Sequence, residues 1–194
     1  MILALDFPEL VYKAAGGKTL PAGKWIASAV HDVFRMQKEI ETPTTFRQWD
    51  KRLATALEEP LLNLLIREAK KAAKGVDYDA ESVSADLLAL ARSRAVATAA
   101  SVNQTTLERL EGESNPFAAS RAAEIGLTEA NWATHAAESV ILKGKTWTWH
   151  AEPNACKRCK KLNGKRRRVG AAFDNEGTKH PGLHPLCKCR CIVD

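Results

Sequence analysis

The sequence predicts a mainly α fold: a helical body over residues 1–142, followed by a small C-terminal β module over 143–194. Three observations carry this expectation. Apolar side chains recur at helical spacing through most of the first 142 residues. After Gly144 the period changes to alternation, Lys145-Thr146-Trp147-Thr148-Trp149-His150, with both tryptophans on one face of a strand. Finally, all 5 cysteines lie between 156 and 191, in the pattern Cys156-x2-Cys159 … His184-x2-Cys187-x-Cys189, with Cys191 beyond it.

Length and composition bound the rest. A chain of 194 residues, 45% apolar and 27% charged, makes one domain or two small ones with a sizeable core. Met1–Leu5 is apolar, but no basic leader precedes it and Asp6 ends the run, so no signal peptide is expected. No apolar stretch approaches the ~20 residues needed to span a bilayer, so no membrane partner is expected. A cytoplasmic compartment with reduced thiols follows, which favours metal over disulfide.

Taken in order, Phe7, Leu10, Val11 and Tyr12 form a short apolar segment that Gly16-Gly17 breaks. Thr19-Leu20-Pro21 opens a helix through Ile40, its stripe built from Ile26, Val30, Val33 and Ile40, with Gln37 the polar interruption and His31 beside it as a packing or capping residue. Thr42-Pro43-Thr44 restarts the chain into a helix carrying Phe46, Trp49, Leu53 and Leu57. Glu59-Pro60 should end or kink it, and Leu61–Lys74 resumes until Gly75. Asp77 or Asp79 can cap the longest helix, near Ala80–Glu111, anchored by Val83, Leu87, Leu90, Leu107 and Leu110. Its polar middle, Thr98–Thr106, is a place for a break. Gly112–Asn115 reads as a linker, Asn115-Pro116 as the start of a short helix closed by Gly126, and Thr128-Glu129 as the start of another that Gly144 stops, with Trp132 facing inward.

In the β module, Glu152-Pro153-Asn154 leads into a Cys156–Cys159 knuckle. Asn163-Gly164 reads as a hairpin turn, with Lys165–Val169 as the returning strand and Lys188–Val193 as a last one. Two thiols on one tight turn and a second donor cluster about 25 residues later can close a tetrahedron on one ion, the geometry Zn²⁺ accepts. The expected ligands are Cys156, Cys159, His184 and Cys187. Cys189 is the runner-up for either late position, because alternation sends Cys187, Cys189 and Cys191 to one side, and His180 is a weaker candidate. Four protein ligands leave no position for water, so the zinc is expected to be structural. A module with so few large apolar side chains is marginal alone, and an ion supplies what its core lacks.

Charge is unevenly placed. From Lys143 onward there are 13 Lys/Arg against 4 Asp/Glu, a balance of +9, while residues 1–142 carry −3. Lys157, Arg158, Lys160, Lys161, Lys165, Arg166, Arg167 and Arg168 fall within twelve residues. Such a tail suits an anionic partner, either nucleic acid or an acidic protein face, with a solvated self-repelling surface as the plain alternative.

The ending Trp147 … Cys156-x2-Cys159-x2-Leu162-x-Gly164 … Phe173 … His184-Pro185-x-Cys187-x-Cys189 resembles the phage Mu F-like head morphogenesis family, minor head proteins of tailed bacteriophages. The helix from Thr128-Glu129 to Gly144 stands where that family places its own, and Phe7-Pro8-Glu9, Leu20-Pro21, Trp25 and His31 are loosely similar to the leading segment of Mu-type members. The resemblance implies a non-enzymatic minor capsid protein of few copies, associated with the portal, acting in virion assembly and in DNA packaging or delivery. It implies phage portal and capsid proteins as partners, with double-stranded DNA bound non-specifically if at all, and a location in the virion head or, during assembly, the host bacterial cytoplasm. Some members carry toxin or enzyme domains after the motif; with five residues following Cys189, no such effector is expected here. Cys191 is an extra thiol, Pro181-Gly182 replaces the usual proline-rich lead, and Glu152 stands where Asp is common, which leaves the fourth ligand open.

In this reading residues 1–142 dock on the portal or inner capsid through an apolar helix face, and the zinc module holds Lys165–Arg168 against DNA or an acidic portal surface. Two other classes remain. A His-type metal-dependent nuclease would draw on Asp174, Glu176 and His180, although nothing in the sequence brings them together. A zinc-containing nucleic-acid-binding protein would rest on the basic run alone.

Overall fold

The computed structural model describes residues 22–38, 46–111, 117–182, 184 and 187–194. The expected segments at 7–12, 16–17, 19–21, 40, 42–44 and 112–116 lie outside these, as do Pro185 and the side chains of Phe46 and Leu110. The chain runs α1 (Ala22–Lys38), α2 (Phe46–Ala72), α3 (Ala80–Glu111), α4 (Ala119–Ile141), β1 (Thr146–His150), α5 (Lys157–Leu162), β2 (Arg166–Arg168) and β3 (Arg190–Val193). It is mainly helical with a small antiparallel sheet toward its C-terminal end, as the sequence predicts. Contacts divide it into two units: the described residues of Phe7–Asn63 with Leu88–Leu127, and Leu64–Leu87 with Thr128–Asp194.

The first unit is built of helices. Ile26, Val30, Val33 and Phe34 of α1, Trp49, Leu53, Leu57 and Leu61 of α2, and Ala91, Ala95, Ala99 and Val102 of α3 are buried. Gln37, the polar interruption of the α1 stripe, donates to Asn103 Oδ1 at 3.1 Å, and Asn103 in turn donates to Asp50. Buried Arg121 donates to Thr106 Oγ1 and the Val102 carbonyl, both at 2.8 Å, and lies 5.1 Å over the Phe34 ring. Burial lowers its pKa to about 10.

Three expectations about helix boundaries are corrected. α2 runs through Pro60, so Glu59-Pro60 does not end the helix. Proline removes one donor and costs ~3 kcal/mol, but burial of each leucine contributes about 1.5–3 kcal/mol. Leu53, Leu57, Leu61, Leu64 and Leu65 keep the same stripe on both sides. α3 has no break at 98–106: Thr98, Ala99, Val102, Asn103 and Thr106 are buried there, and the hydroxyls of Thr105 and Thr106 are satisfied by carbonyls of their own helix, at 2.9 Å to Ser101 and 2.7 Å to Val102. α4 is a single helix through Gly126 instead of two. Gly126 is there for close approach: a Cβ would collide with the Gly23 carbonyl and sit 3.0 Å from Ala27.

In the second unit Asp79, of the two candidate caps, accepts from the backbone N–H of Glu81 at 3.1 Å and Ser82 at 3.3 Å. Gly75 ends the preceding helix with φ +75°. Buried Glu68 is held by Arg67 and Lys71, both at 2.8 Å. From α4, Trp132, Ala133, Ala136, Ala137, Val140 and Ile141 are buried.

The sheet has the order β2-β1-β3, both pairs antiparallel. Trp147 and Trp149 point to one face and are fully buried, as the alternation requires. Phe173 packs against both, its ring 6.5 Å from Trp147 and 5.3 Å from Trp149. Leu162, Val169 and four cysteines (Cys159, Cys187, Cys189 and Cys191) complete this core. The expected hairpin at Asn163-Gly164 is corrected: the turn, with Gly164 at φ +73°, follows α5 instead of a strand. β2 pairs with β1, Trp147 opposite Arg167, so the β1–β2 connection contains the whole Cys156–Leu162 segment.

Candidate metal centre

The first limb of the centre is a helix N-terminus. Cys156 is the N-cap of α5, in extended conformation, and its Sγ accepts from the Cys159 backbone N–H at 3.5 Å. A cap and the third residue of its helix lie on the same side, so the two-residue spacing brings both sulfurs to one point. The second limb carries His184 and Cys187, joined by the Cys187 N–H donating to the His184 carbonyl at 3.2 Å.

The limbs meet. His184 Nε2 is 3.4 Å from Cys156 Sγ and 3.4 Å from Cys159 Sγ. Zinc bonds of ~2.3 Å to sulfur and ~2.0 Å to nitrogen, at tetrahedral angles, place neighbouring ligand atoms roughly 3.5 Å apart. Cys156, Cys159 and His184 form one group whose donor atoms all lie within 4.8 Å of one another, and Cys159, Cys187 and Cys189 form another. Cys159 Sγ belongs to both. These five donors can hold a metal ion, with Cys187 and Cys189 both placed beside the shared sulfur. His180 and Cys191 belong to neither group.

The electrostatics suit a cation. Burial, with Cys187 and Cys189 alongside, pushes the Cys159 thiol well above its ordinary range, and burial raises Cys189. Cys156, exposed at the rim, is lowered by the backbone N–H of Cys159. Buried thiols with raised pKa become thiolates when a metal ion supplies the compensating charge.

The loop between the limbs is tied down by the knuckle's own arginine. Arg158 pairs with Asp174 at 3.3 Å and Glu176 at 2.8 Å. Burial alone would raise the Asp174 carboxyl, but the Thr178 N–H and hydroxyl and the Arg158 guanidinium outweigh it and hold it below the usual carboxylate range. His180 Nδ1 donates to the Pro181 carbonyl at 2.8 Å, and its ring stands 6.0 Å from Trp132. Asp174 and Glu176 therefore face Arg158, while His180 faces α4.

Of the eight basic candidates, Lys157, Lys160 and Lys161 are exposed on α5, and Arg166, Arg167 and Arg168 are exposed on β2. Arg158 is half-buried in its two ion pairs, and Lys165 turns inward toward the Phe173 carbonyl at 3.5 Å.

Sequence reasoning missed the side of the centre that α4 provides. Asn131 Nδ2 donates to the Cys187 carbonyl at 2.5 Å. Gly182, at φ +91°, lies so close to Trp132 that a Cβ would sit 2.8 Å from its Cα. Only glycine fits there, and the pair Pro181-Gly182 before His184 was the available signal.

No family model, no curated protein and no solved structure matches this chain. Among the described residues no helix is long and apolar enough to cross a membrane.

Proposed function

We propose that this chain is a bacteriophage minor head protein, a non-enzymatic assembly factor of the portal region whose β module is stapled by a structural Zn²⁺. The observation that carries the reading is the convergence of Cys156, Cys159 and His184 with Cys187 and Cys189. These are among the residues on which the resemblance to the Mu F-like head morphogenesis family rests.

Cys156, Cys159 and His184 would hold the ion, with Cys187 or Cys189 as the fourth ligand. Bound there, zinc crosslinks two chain limbs and supplies no open position for chemistry. The remaining residues do the assembly work. The core around Trp147, Trp149 and Phe173 keeps β2 fixed, and the exposed arginines of β2 meet an anionic partner, either packaged DNA or an acidic portal surface. The helical body supplies the docking surface for portal and capsid proteins.

Co-expression with portal and capsid proteins tests this. The reading expects the chain in purified proheads and its loss from them in Cys159→Ser. A chain absent from proheads, and not retained by the portal, contradicts it. A zinc-containing nucleic-acid-binding protein outside any particle is the second reading, favoured by the six exposed basic residues of α5 and β2. Sequence-selective retardation of duplex DNA would favour it over the first.

A further inference from the structure

The tryptophans of β1 face the core, so Thr146, Thr148 and His150 face the other way. The register extends this outer face across all three strands. Arg168 stands opposite Thr146, Arg166 and Ile192 opposite Thr148, and Arg190 opposite His150. Three arginines from the two flanking strands thus share one face, and all three are exposed. Arg190 lies outside the basic run, and only the fold brings it there.

At the centre of the face sits one carboxylate. Asp194 accepts from Arg166 Nε at 2.8 Å and from Thr148 Oγ1 at 3.2 and 3.4 Å, while its own N–H donates to the Thr146 carbonyl at 3.0 Å. A guanidinium and a hydroxyl converging on the oxygens of one anion form the donor set that a phosphate takes.

The β2 edge of the sheet excludes one mode of binding there. Trp149 N–H donates to the Lys165 carbonyl and Val169 N–H to the Lys145 carbonyl, so the backbone of Arg166 and Arg168 points away from β1. Both outward carbonyls are already taken, that of Arg166 by Arg167 Nη1 at 2.8 Å and that of Arg168 by the Ala171 N–H at 2.9 Å. An acidic peptide adding as a fourth strand beside β2, next to the arginines, would have to break both. The face also offers no tryptophan for stacking on bases, because both lie in the core.

We infer that the outer face of the sheet binds the phosphates of duplex DNA through Arg166, Arg168, Arg190 and Thr148, with Asp194 holding the central phosphate position until the DNA displaces it. This rests on the reading of the β module as the contact for an anionic partner and chooses DNA as that partner. Arg166 and Arg168 are two residues apart on one strand, roughly 7 Å, and contact the backbone without reading sequence.

The experiment uses the full chain, a labelled mixed-sequence duplex and a series of salt concentrations. The logarithm of affinity falls linearly with the logarithm of salt, with a slope of about 0.9 per phosphate neutralised. Arg168→Ser and Arg190→Ser should each flatten that slope by about one phosphate's share. Lys160→Ser and Lys161→Ser on α5 should leave it unchanged. Asp194→Asn should tighten binding several-fold, and more than Glu176→Gln, which removes the same charge elsewhere. Unchanged metal content in each variant shows that the module is folded.

The inference is overturned if the α5 variants carry the slope, if Asp194→Asn acts no more strongly than Glu176→Gln, or if polyglutamate binds as tightly as the duplex. Entry into proheads is scored separately. Normal entry with no salt-dependent DNA binding removes this inference alone, whereas DNA binding with no entry removes the assembly reading alone.

Discussion

The side-chain amide of Asn131 on α4 donates to the backbone carbonyl of Cys187, 56 residues away, at 2.5 Å. It joins a helix to the second limb of the candidate metal centre, and Gly182 against Trp132 adds a second contact with the same helix. The donor atoms are thus positioned from outside the module as well as within it. Asn131→Ala should leave the helix intact and weaken metal binding by roughly 10- to 100-fold, the usual effect of removing a group that orients a ligand. Competition with a chelator of known affinity measures this, and unchanged affinity would mean that the second limb needs no support from α4.

The five cysteines should separate into classes. Cys159→Ser removes the sulfur shared by both donor groups and should abolish binding, while Cys191→Ser, outside both groups, should keep full metal content. Between these, whichever of Cys187→Ser and Cys189→Ser lowers the thiolate-to-metal absorption of the Co²⁺-substituted protein identifies the fourth ligand.

Acid should loosen the loop that Arg158 anchors. The Asp174 carboxyl is held below its ordinary 3.8 in the folded protein, so its contribution is present above that pH and is lost as pH falls through the folded value. In fluorescence-monitored unfolding, wild type should be more stable than Asp174→Asn above pH 3.8, and the two should converge below it. A difference that persisted in strong acid would place the effect of the substitution elsewhere.

Gly126→Ala should destabilise the helical unit by about 1–3 kcal/mol, since the added methyl meets backbone in an already close contact. Gly23→Ala, whose Cβ would come no closer than 3.3 Å to its nearest neighbour, should cost less. Urea denaturation of the two variants gives the ranking, and an equal stabilisation of both would mean that helix propensity alone decides.

Much of this was legible in the sequence wherever a local signal and the fold agree. Asp79 and the alanine-rich run place α3 at its observed bounds. The alternation at Thr146–His150 places β1 and its buried tryptophans. Pro60 and Gly126 misled because both are helix breakers by local chemistry, and only partners distant in sequence make them acceptable inside helices. The convergence of the two donor clusters was legible from spacing, but the choice between Cys187 and Cys189 was not, because alternation sends both to the same side and both reach Cys159. Arg158 could not be distinguished from its basic neighbours, since its engagement depends on Asp174 and Glu176 folding back onto α5. Asn131 left no trace at all, as nothing in a helix sequence marks one asparagine as the partner of a distant carbonyl.

The central claim is that one ion ties the Cys156–Cys159 knuckle to the limb that carries His184 and Cys187. Metal content and non-denaturing mass of the full chain, for wild type and Cys159→Ser, test it most directly. The account predicts one zinc per chain in wild type, none in the variant, and loss of the buried environment of Trp147 and Trp149 when zinc is removed by chelator. A metal-free wild-type chain that keeps its tryptophans buried in strong chelator would contradict it.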